Sequence, residues 1–196
     1  SSLMNIGNFF FKYRSYTPIP LAAVILYNAQ LANAYVVLGL ICIIVGESIR
    51  FWSVSYAGGI TRTTTVGATT LCTAGPFAHT RNPLYIGNML MYNGIVLIAG
   101  ASNIFAILML TWLFFIIQYF LIINLEEQTL TRMFGATYLD YTKNVPRIFP
   151  LLFRWESNDI RQPMTFLKTL RTEKRTLQNV VIFLIIIYIR YRLLEQ

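Results

Sequence analysis

Charge is scarce in this sequence. Of its 196 residues only 12% are Asp, Glu, Lys or Arg, against about 25% in ordinary soluble domains. Cysteine and histidine are rarer still: Cys42, Cys72 and His79 are all there are. Two isolated cysteines, one in an apolar run and one in a polar loop, make neither a disulfide framework nor a metal-ligand pattern. Both read as packing residues, and no metal is expected. Neither G-x-G-x-x-G nor G-x-x-x-x-G-K-[ST] occurs, so the glycine fingerprints of nicotinamide and phosphate sites are missing. No cleavable signal peptide is expected at the start.

Apolar side chains take the place of charge. Hydrophobic residues make up 56% of the chain and the mean hydropathy is +0.55. A water-soluble fold of this composition would expose large apolar patches and aggregate, so lipid is the implied solvent. Apolar segments run from Ile19 to Ala32, Tyr35 to Tyr56, Pro83 to Ile98, Ile104 to Ile123 and Val180 to Ile189. The links Asn28–Asn33 and Gly100–Asn103 have room only for tight helical hairpins. The expected fold is all-α, a polytopic membrane bundle of about five transmembrane helices with a cytoplasmic polar region. It forms one membrane domain over 1–196: two spans in 15–57, a core with spans three and four in 58–150, and a basic amphipathic segment with a last apolar helix in 151–196.

Between the runs, Ala57–Asn82 is rich in Gly and Thr, with a threonine run to Thr65, and suits a short strand or an ordered loop. The fourth helix is expected to continue through Glu126 to Phe134 and stop at Gly135 in a left-handed cap. A short helix follows over Thr137–Lys143, broken by Pro146 and Pro150. The stretch Ile160–Arg175 reads as a basic amphipathic segment suited to lie on the anionic cytoplasmic surface. Lys12 and Arg14, then Arg62 and Arg81, then most of the remaining basic residues in Asn124–Thr176 all fall on one side. The two hairpins carry no charge. The net charge of +8 therefore reads as positive-inside topology, with that side cytoplasmic, and not as a nucleic-acid surface.

Polar residues at membrane depth are costly and mark function by default. Glu47 and Arg50, three residues apart on one helix face, suit an internal ion pair, or one of them lines a cavity. Arg81-Asn82-Pro83 opens span three: Asn as cap and Pro at the first helical position leave free N–H groups and a positive dipole end for an anion. Tyr85, Asn88 and Tyr92 recur on one face of that span, while Gly87 and Gly94 permit close backbone approach. Glu126-Glu127 are two of only eight acids, placed where a helix end disfavours them. They suit either a solvated helix end or a ligand ammonium or hydroxyl. Arg147, on a rigid Pro-Arg unit, can aim a guanidinium back at the membrane. His79 suits either a structural or a catalytic role.

Gly75–Gly87 reads G-P-F-A-H-T-R-N-P-L-Y-I-G. Glu126-Glu127 follows, then F-G-A-T-Y-L-D-Y from Phe134, then N-V-P-R-I-F-P from Asn144. This order resembles the integral membrane methyltransferases, the isoprenylcysteine carboxyl and phospholipid N-methyltransferases. The resemblance covers Gly75–Pro150, and Asn82 stands where the family's R-H-P histidine lies. It implies S-adenosylmethionine as cofactor and, as substrate, a prenylated cysteine or phospholipid amine drawn from the bilayer. It implies cofactor-binding roles for His79, Arg81, Asn82, Pro83, Tyr85, Gly87 and Glu126, and catalytic roles for Glu127 and Arg147. Two other classes fit the composition: an NADPH-dependent reductase of sterol-reductase type, and a non-enzymatic scaffold or transporter subunit. The reductase pattern is not evident, and neither are inverted repeats or broken-helix pairs.

Overall fold

The computed structural model describes residues 2–31, 33–58, 67 and 70–196. Among the described residues there are seven helices: α1 (Ser2–Lys12), α2 (Ile19–Tyr27), α3 (Asn33–Ala57), α4 (Pro83–Ala99), α5 (Ile104–Phe134), α6 (Ala136–Asn144) and α7 (Phe166–Leu194), with a 3-10 turn at Gly75–Ala78. Among the described residues there is no strand. The readings that concern Ala32, Arg62 and the threonines to Thr65 lie outside the described residues.

The protein is a helical membrane bundle. Among the described residues three helices, α3, α5 and α7, are long and apolar enough to cross a bilayer, and α4 is a shorter apolar helix beside them. The first apolar run forms only the nine-residue α2. Helix α5 shows how the bundle separates protein from lipid. Its buried residues Ile104, Ile107, Thr111, Phe115, Gln118, Ile122 and Leu125 recur at three- and four-residue steps, with Tyr119 and Ile123 beside them, one face of a 3.6-residue period. The opposite face leaves Phe105 and Met109 more than 70% exposed, where hydrocarbon is the natural neighbour.

Helices α3 and α4 make the closest contact in the bundle. Gly39 and Gly46 lie seven residues apart on α3, and Gly87 and Gly94 lie seven apart on α4. Antiparallel packing sets Gly39 against Gly94 and Gly46 against Gly87. A Cβ on Gly46 would stand 2.7 Å from the Gly87 carbonyl oxygen, and one on Gly39 would stand 2.6 Å from that of Gly94. Between helices already surrounded by apolar lipid, backbone proximity of this kind is a main source of association.

Helix α5 runs on to Phe134, two turns past the acid pair, and Gly135 follows at φ 54°. Glu126 and Glu127 are therefore not in the last turn, and the expected conflict with the helix dipole does not arise. The expected surface segment over 160–175 is, from Phe166 on, continuous with the last apolar run in the single helix α7. It runs the length of the bundle. Glu173, near its start, is fully buried against Arg50 of α3. Arg190, near its end, donates from Nε to the Ala29 carbonyl at 3.1 Å and from Nη2 to that of Tyr27. Arg190 thus covers carbonyls that the end of α2 leaves open.

Gly46→Ala should destabilise the bundle by about 1–3 kcal/mol, because the obstruction is backbone and cannot rotate away. Equilibrium unfolding in mixed micelles measures this; unchanged stability would mean the helices do not sit this close.

Candidate functional site

The polar chemistry gathers where α4 begins, α5 passes its acid pair and the chain returns after α6. The return segment is laid against the residues before α4 by main-chain bonds. Arg81 N donates to Pro146 O at 2.9 Å, Leu151 N to His79 O at 2.9 Å, and Trp155 N to Ala78 O at 2.9 Å. Side chains reinforce it. Thr80 Oγ1 donates to Ile148 O at 2.9 Å, and His79 Nδ1 lies 2.8 Å from Leu151 O, to which it can only donate. Asn82 precedes α4 but makes no side-chain cap bond. Its Nδ2 donates instead to Arg147 O at 2.9 Å. The expected capping role is thus replaced by one that fixes the Pro-Arg unit.

That unit delivers Arg147 to Glu127. Arg147 grips both carboxylate oxygens, Nε to Oε1 at 3.1 Å and Nη2 to Oε2 at 2.7 Å, while Arg81 Nη1 reaches Oε1 at 2.7 Å. One carboxylate thereby joins three chain segments through charge-assisted bonds, the strong kind. Glu126 turns elsewhere, because successive helical residues diverge by about 100°. Its Oε1 accepts from Tyr85 Oη at 2.7 Å.

A cavity of about 540 Å3 lies beneath. Arg81, Glu126, Glu127, Tyr138, Tyr141 and Arg161 line its polar mouth. Tyr85, Asn88 and Tyr119 line its middle, and Met91, Ile95, Phe115, Val180 and Phe183 its apolar depth. From Pro83 to Ile95 the wall of α4 descends about 18 Å. Tyr85 and Tyr119 stack with ring centroids 4.3 Å apart. Asn88 Nδ2 donates to Tyr119 Oη at 3.1 Å, and Asn88 Oδ1 accepts from Arg50 Nη1 at 2.7 Å. Arg50 closes the network on Glu173 with Nε to Oε2 at 2.9 Å and Nη2 to Oε1 at 2.8 Å. The carboxylate on Arg50 is thus Glu173 of α7 and not Glu47, the partner that spacing offers.

Of the residues singled out from sequence, Arg81, Asn82, Pro83, Tyr85, Glu126 and Glu127 line the cavity. Arg147 braces Glu127 from outside it. His79 pins the return segment. Gly87 faces α3, where an added Cβ would stand 2.6 Å from Arg50 Cγ; its bareness lets the Arg50 side chain pass. Tyr119 and Glu173 were missed. The signal for Glu173 was present, an acid inside the basic run 171–175 with threonines at 169 and 176 on neighbouring turns. Among the described residues no three His, Cys, Asp or Glu side chains come together as a metal site.

Near the mouth, burial pushes the Cys72 thiol up to about 11, only partly offset by the Ala74 main chain and Arg161. Burial also raises the Tyr141 phenol well above its ordinary value, so it stays protonated and donates to Phe77 O at 2.6 Å.

A model of the phospholipid methyltransferase family matches residues 34–137, more than half of the chain. The matched stretch holds α3, α4 and α5 and stops before Arg147 and α7. The nickel-cobalt-cadmium resistance protein NccN of Alcaligenes xylosoxydans xylosoxydans is 28% identical over 159 residues, covering 80% of this chain and 67% of that one. No solved structure matches the chain.

Two predictions follow from the ionisable groups. Glu173→Leu strands a buried guanidinium and should cost about 3–5 kcal/mol, whereas Arg50→Met with Glu173→Leu should recover most of it; unfolding of both variants in micelles decides. At pH 8 Cys72 should alkylate about a hundredfold more slowly than an ordinary thiol, its rate rising about tenfold per pH unit towards pH 11. Peptide mapping after timed alkylation reads this out, and a rate that levels off near pH 9 would contradict it.

Proposed function

The chain belongs to the phospholipid methyltransferase family, and on that premise we propose that it transfers a methyl group from S-adenosylmethionine to a membrane-embedded amphiphile. The acceptor is a phospholipid amine or a prenylated cysteine carboxylate, met at the cytoplasmic interface. The observation that carries this reading is the shape of the cavity. A charged mouth opens above an apolar depth within one bundle, as a polar cofactor and an amphiphilic acceptor require.

The residues at the mouth fit the cofactor. Arg81 Nε is buried without a hydrogen-bond partner, a donor suited to the carboxylate of the methionine end. Glu126 offers an acceptor for the ammonium or the ribose hydroxyls, and Tyr85 fixes its direction. Bound S-adenosylmethionine supplies a methyl carbon already activated on a sulfonium. What remains for the protein is alignment and exclusion of water. Glu127, held by two arginines, sets the spacing of the mouth, and Arg147 acts as a positioning residue through it. A carboxylate acceptor needs no base. An ammonium acceptor must first lose a proton, and Glu126 Oε2 is the oxygen left to take it once Oε1 is bound by Tyr85.

Positive-inside bias supports a cytoplasmic mouth. Arg81, Arg132, Lys143, Arg147, Arg154 and Arg161 stand in the segments at that end, while the hairpin at 100–103 has no charge.

Isothermal calorimetry of the purified protein tests the cofactor. Binding of S-adenosylmethionine and its demethylated product is expected; binding of NADPH alone would sink the proposal in favour of a reductase. With labelled methyl groups, Glu127→Gln and Arg147→Ala should each reduce transfer about a hundredfold by misplacing the reactants. Full activity in both would put the reacting centre elsewhere.

A further inference from the structure

Just past Arg147 the return segment reads Phe149-Pro150-Leu151-Leu152-Phe153, and it turns these side chains outward. Phe149 is 86% exposed, Leu152 85% and Phe153 81%. None of the three lines the cavity. A run of apolar residues presented to water in this way would be an aggregation site. The loop has no freedom to fold them away. Leu151 N donates to His79 O and Trp155 N to Ala78 O, both at 2.9 Å, so the chain is held on either side of Leu152 and Phe153.

The level of the loop in the bundle says what covers it. On α3, Ile41, Val45, Ser48 and Trp52 follow one another at four- and three-residue steps and all are exposed, the stripe that this spanning helix turns to lipid. Trp52 stands near the end of the helix, where an indole marks the membrane boundary. Its ring lies 5.9 Å from that of His79, and His79 Nδ1 in turn lies 2.8 Å from Leu151 O. The loop therefore prolongs the lipid face of α3 at the boundary level. Its main chain is fitted to leave water there. Leu151 has both its N–H and its carbonyl bonded within the protein, and Ile148 O accepts from Thr80 Oγ1 at 2.9 Å. Pro150 has no N–H to satisfy. Non-helical backbone is tolerated at a bilayer only when its polar groups are met in this way.

We propose that Phe149, Leu152 and Phe153 enter the leaflet at the mouth end of the bundle and moor the return segment to the bilayer. The partner that covers them is lipid and not another protein. The side chains reach about 5–10 Å into the headgroup and upper acyl region, the depth of interfacial segments in general. Arg147 stands two residues before Phe149. The segment that braces Glu127 is thus fixed to the membrane surface, and the bilayer itself helps to hold the shape of the mouth. The mooring does not depend on which reaction the cavity performs.

A fluorophore on Leu152→Cys tests the insertion, in the full chain with Cys42→Ser and Cys72→Ser, set in phosphatidylcholine nanodiscs. Lipids with a nitroxide near the ester end of the acyl chain should remove about half of its emission, while aqueous iodide should quench it about fivefold less than the free dye. Iodide quenching equal to that of the free dye, with no loss to the nitroxide lipids, would overturn the proposal. The combined variant Phe149→Ser, Leu152→Ser, Phe153→Ser tests the mooring. Amide hydrogen exchange at Leu151 and Trp155 should quicken about tenfold in nanodiscs, while exchange along α4 and α5 stays the same. Unchanged exchange at Leu151 and Trp155 would overturn the mooring. So would conversion of an oligomer to a monomer by the combined variant in native mass spectrometry, because the patch would then be a protein contact. If the α4 and α5 amides quicken as well, the bundle is disturbed and the labelled single variant decides.

Discussion

Every charge kept inside this bundle must be answered by another, because the surrounding hydrocarbon cannot solvate it. Two carboxylates meet that demand in different ways. Glu173 and Arg50 close each other off: Glu173 is fully buried and Arg50 7% exposed. Glu127 instead sits at the rim and holds two guanidiniums, Arg81 and Arg147. The first pair secures the helix that walls the cavity, and the second cluster fixes the geometry of its mouth. From Arg50 the network runs through Asn88 to Tyr119, which stacks on Tyr85, and Tyr85 ends on Glu126, the chain neighbour of Glu127. Cavity shape and charge placement are therefore one problem with one solution.

How the two halves of the site are built also differs. The polar mouth depends on main-chain pairing, since a loop between Val145 and Thr165 has no helix to position it. The bonds from Arg81, Leu151 and Trp155 give that loop its course. The cavity below depends on close helix packing, with glycine against glycine bringing α3 and α4 together. Mutations in the first set move side chains by ångströms while leaving the bundle intact. Mutations in the second set disturb the bundle itself.

Much of this was legible in the sequence. Apolar run length gave α3, α4 and α5, and the residue classes at Gly135 and Pro83 gave the stop of one helix and the start of another. The motif residues Arg81, Tyr85, Glu126, Glu127 and Arg147 carry enough chemistry to be picked out singly, and they do meet. Partnerships were less legible. Spacing offers Glu47 to Arg50, but Glu173 is 123 residues away in sequence and takes the guanidinium. Asn82 has the identity of a cap, yet its side chain makes no cap bond and its Nδ2 donates to the Arg147 carbonyl. Local rules see only neighbours along the chain, and a buried charge is satisfied by whatever the tertiary fold brings closest. The apolar run Val180–Ile189 was read as a helix of its own, whereas the polar residues from Phe166 onward belong to the same helix, and that polar stretch turns Glu173 inward.

The attachment of α7 has a consequence for how such a protein changes over generations. An arginine contact secures it near each end, Arg50 on Glu173 and Arg190 on the end of α2, and only 6% of its most apolar stretch is buried. It also lies beyond the part of the chain that carries the family pattern. Substitutions on its lipid-facing side are thus nearly free of penalty for folding, while those at Thr176, Asn179, Val180 and Phe183 alter a wall of the cavity. One wall of the cavity can therefore change on α7 without disturbing the polar cluster that α4 and α5 hold.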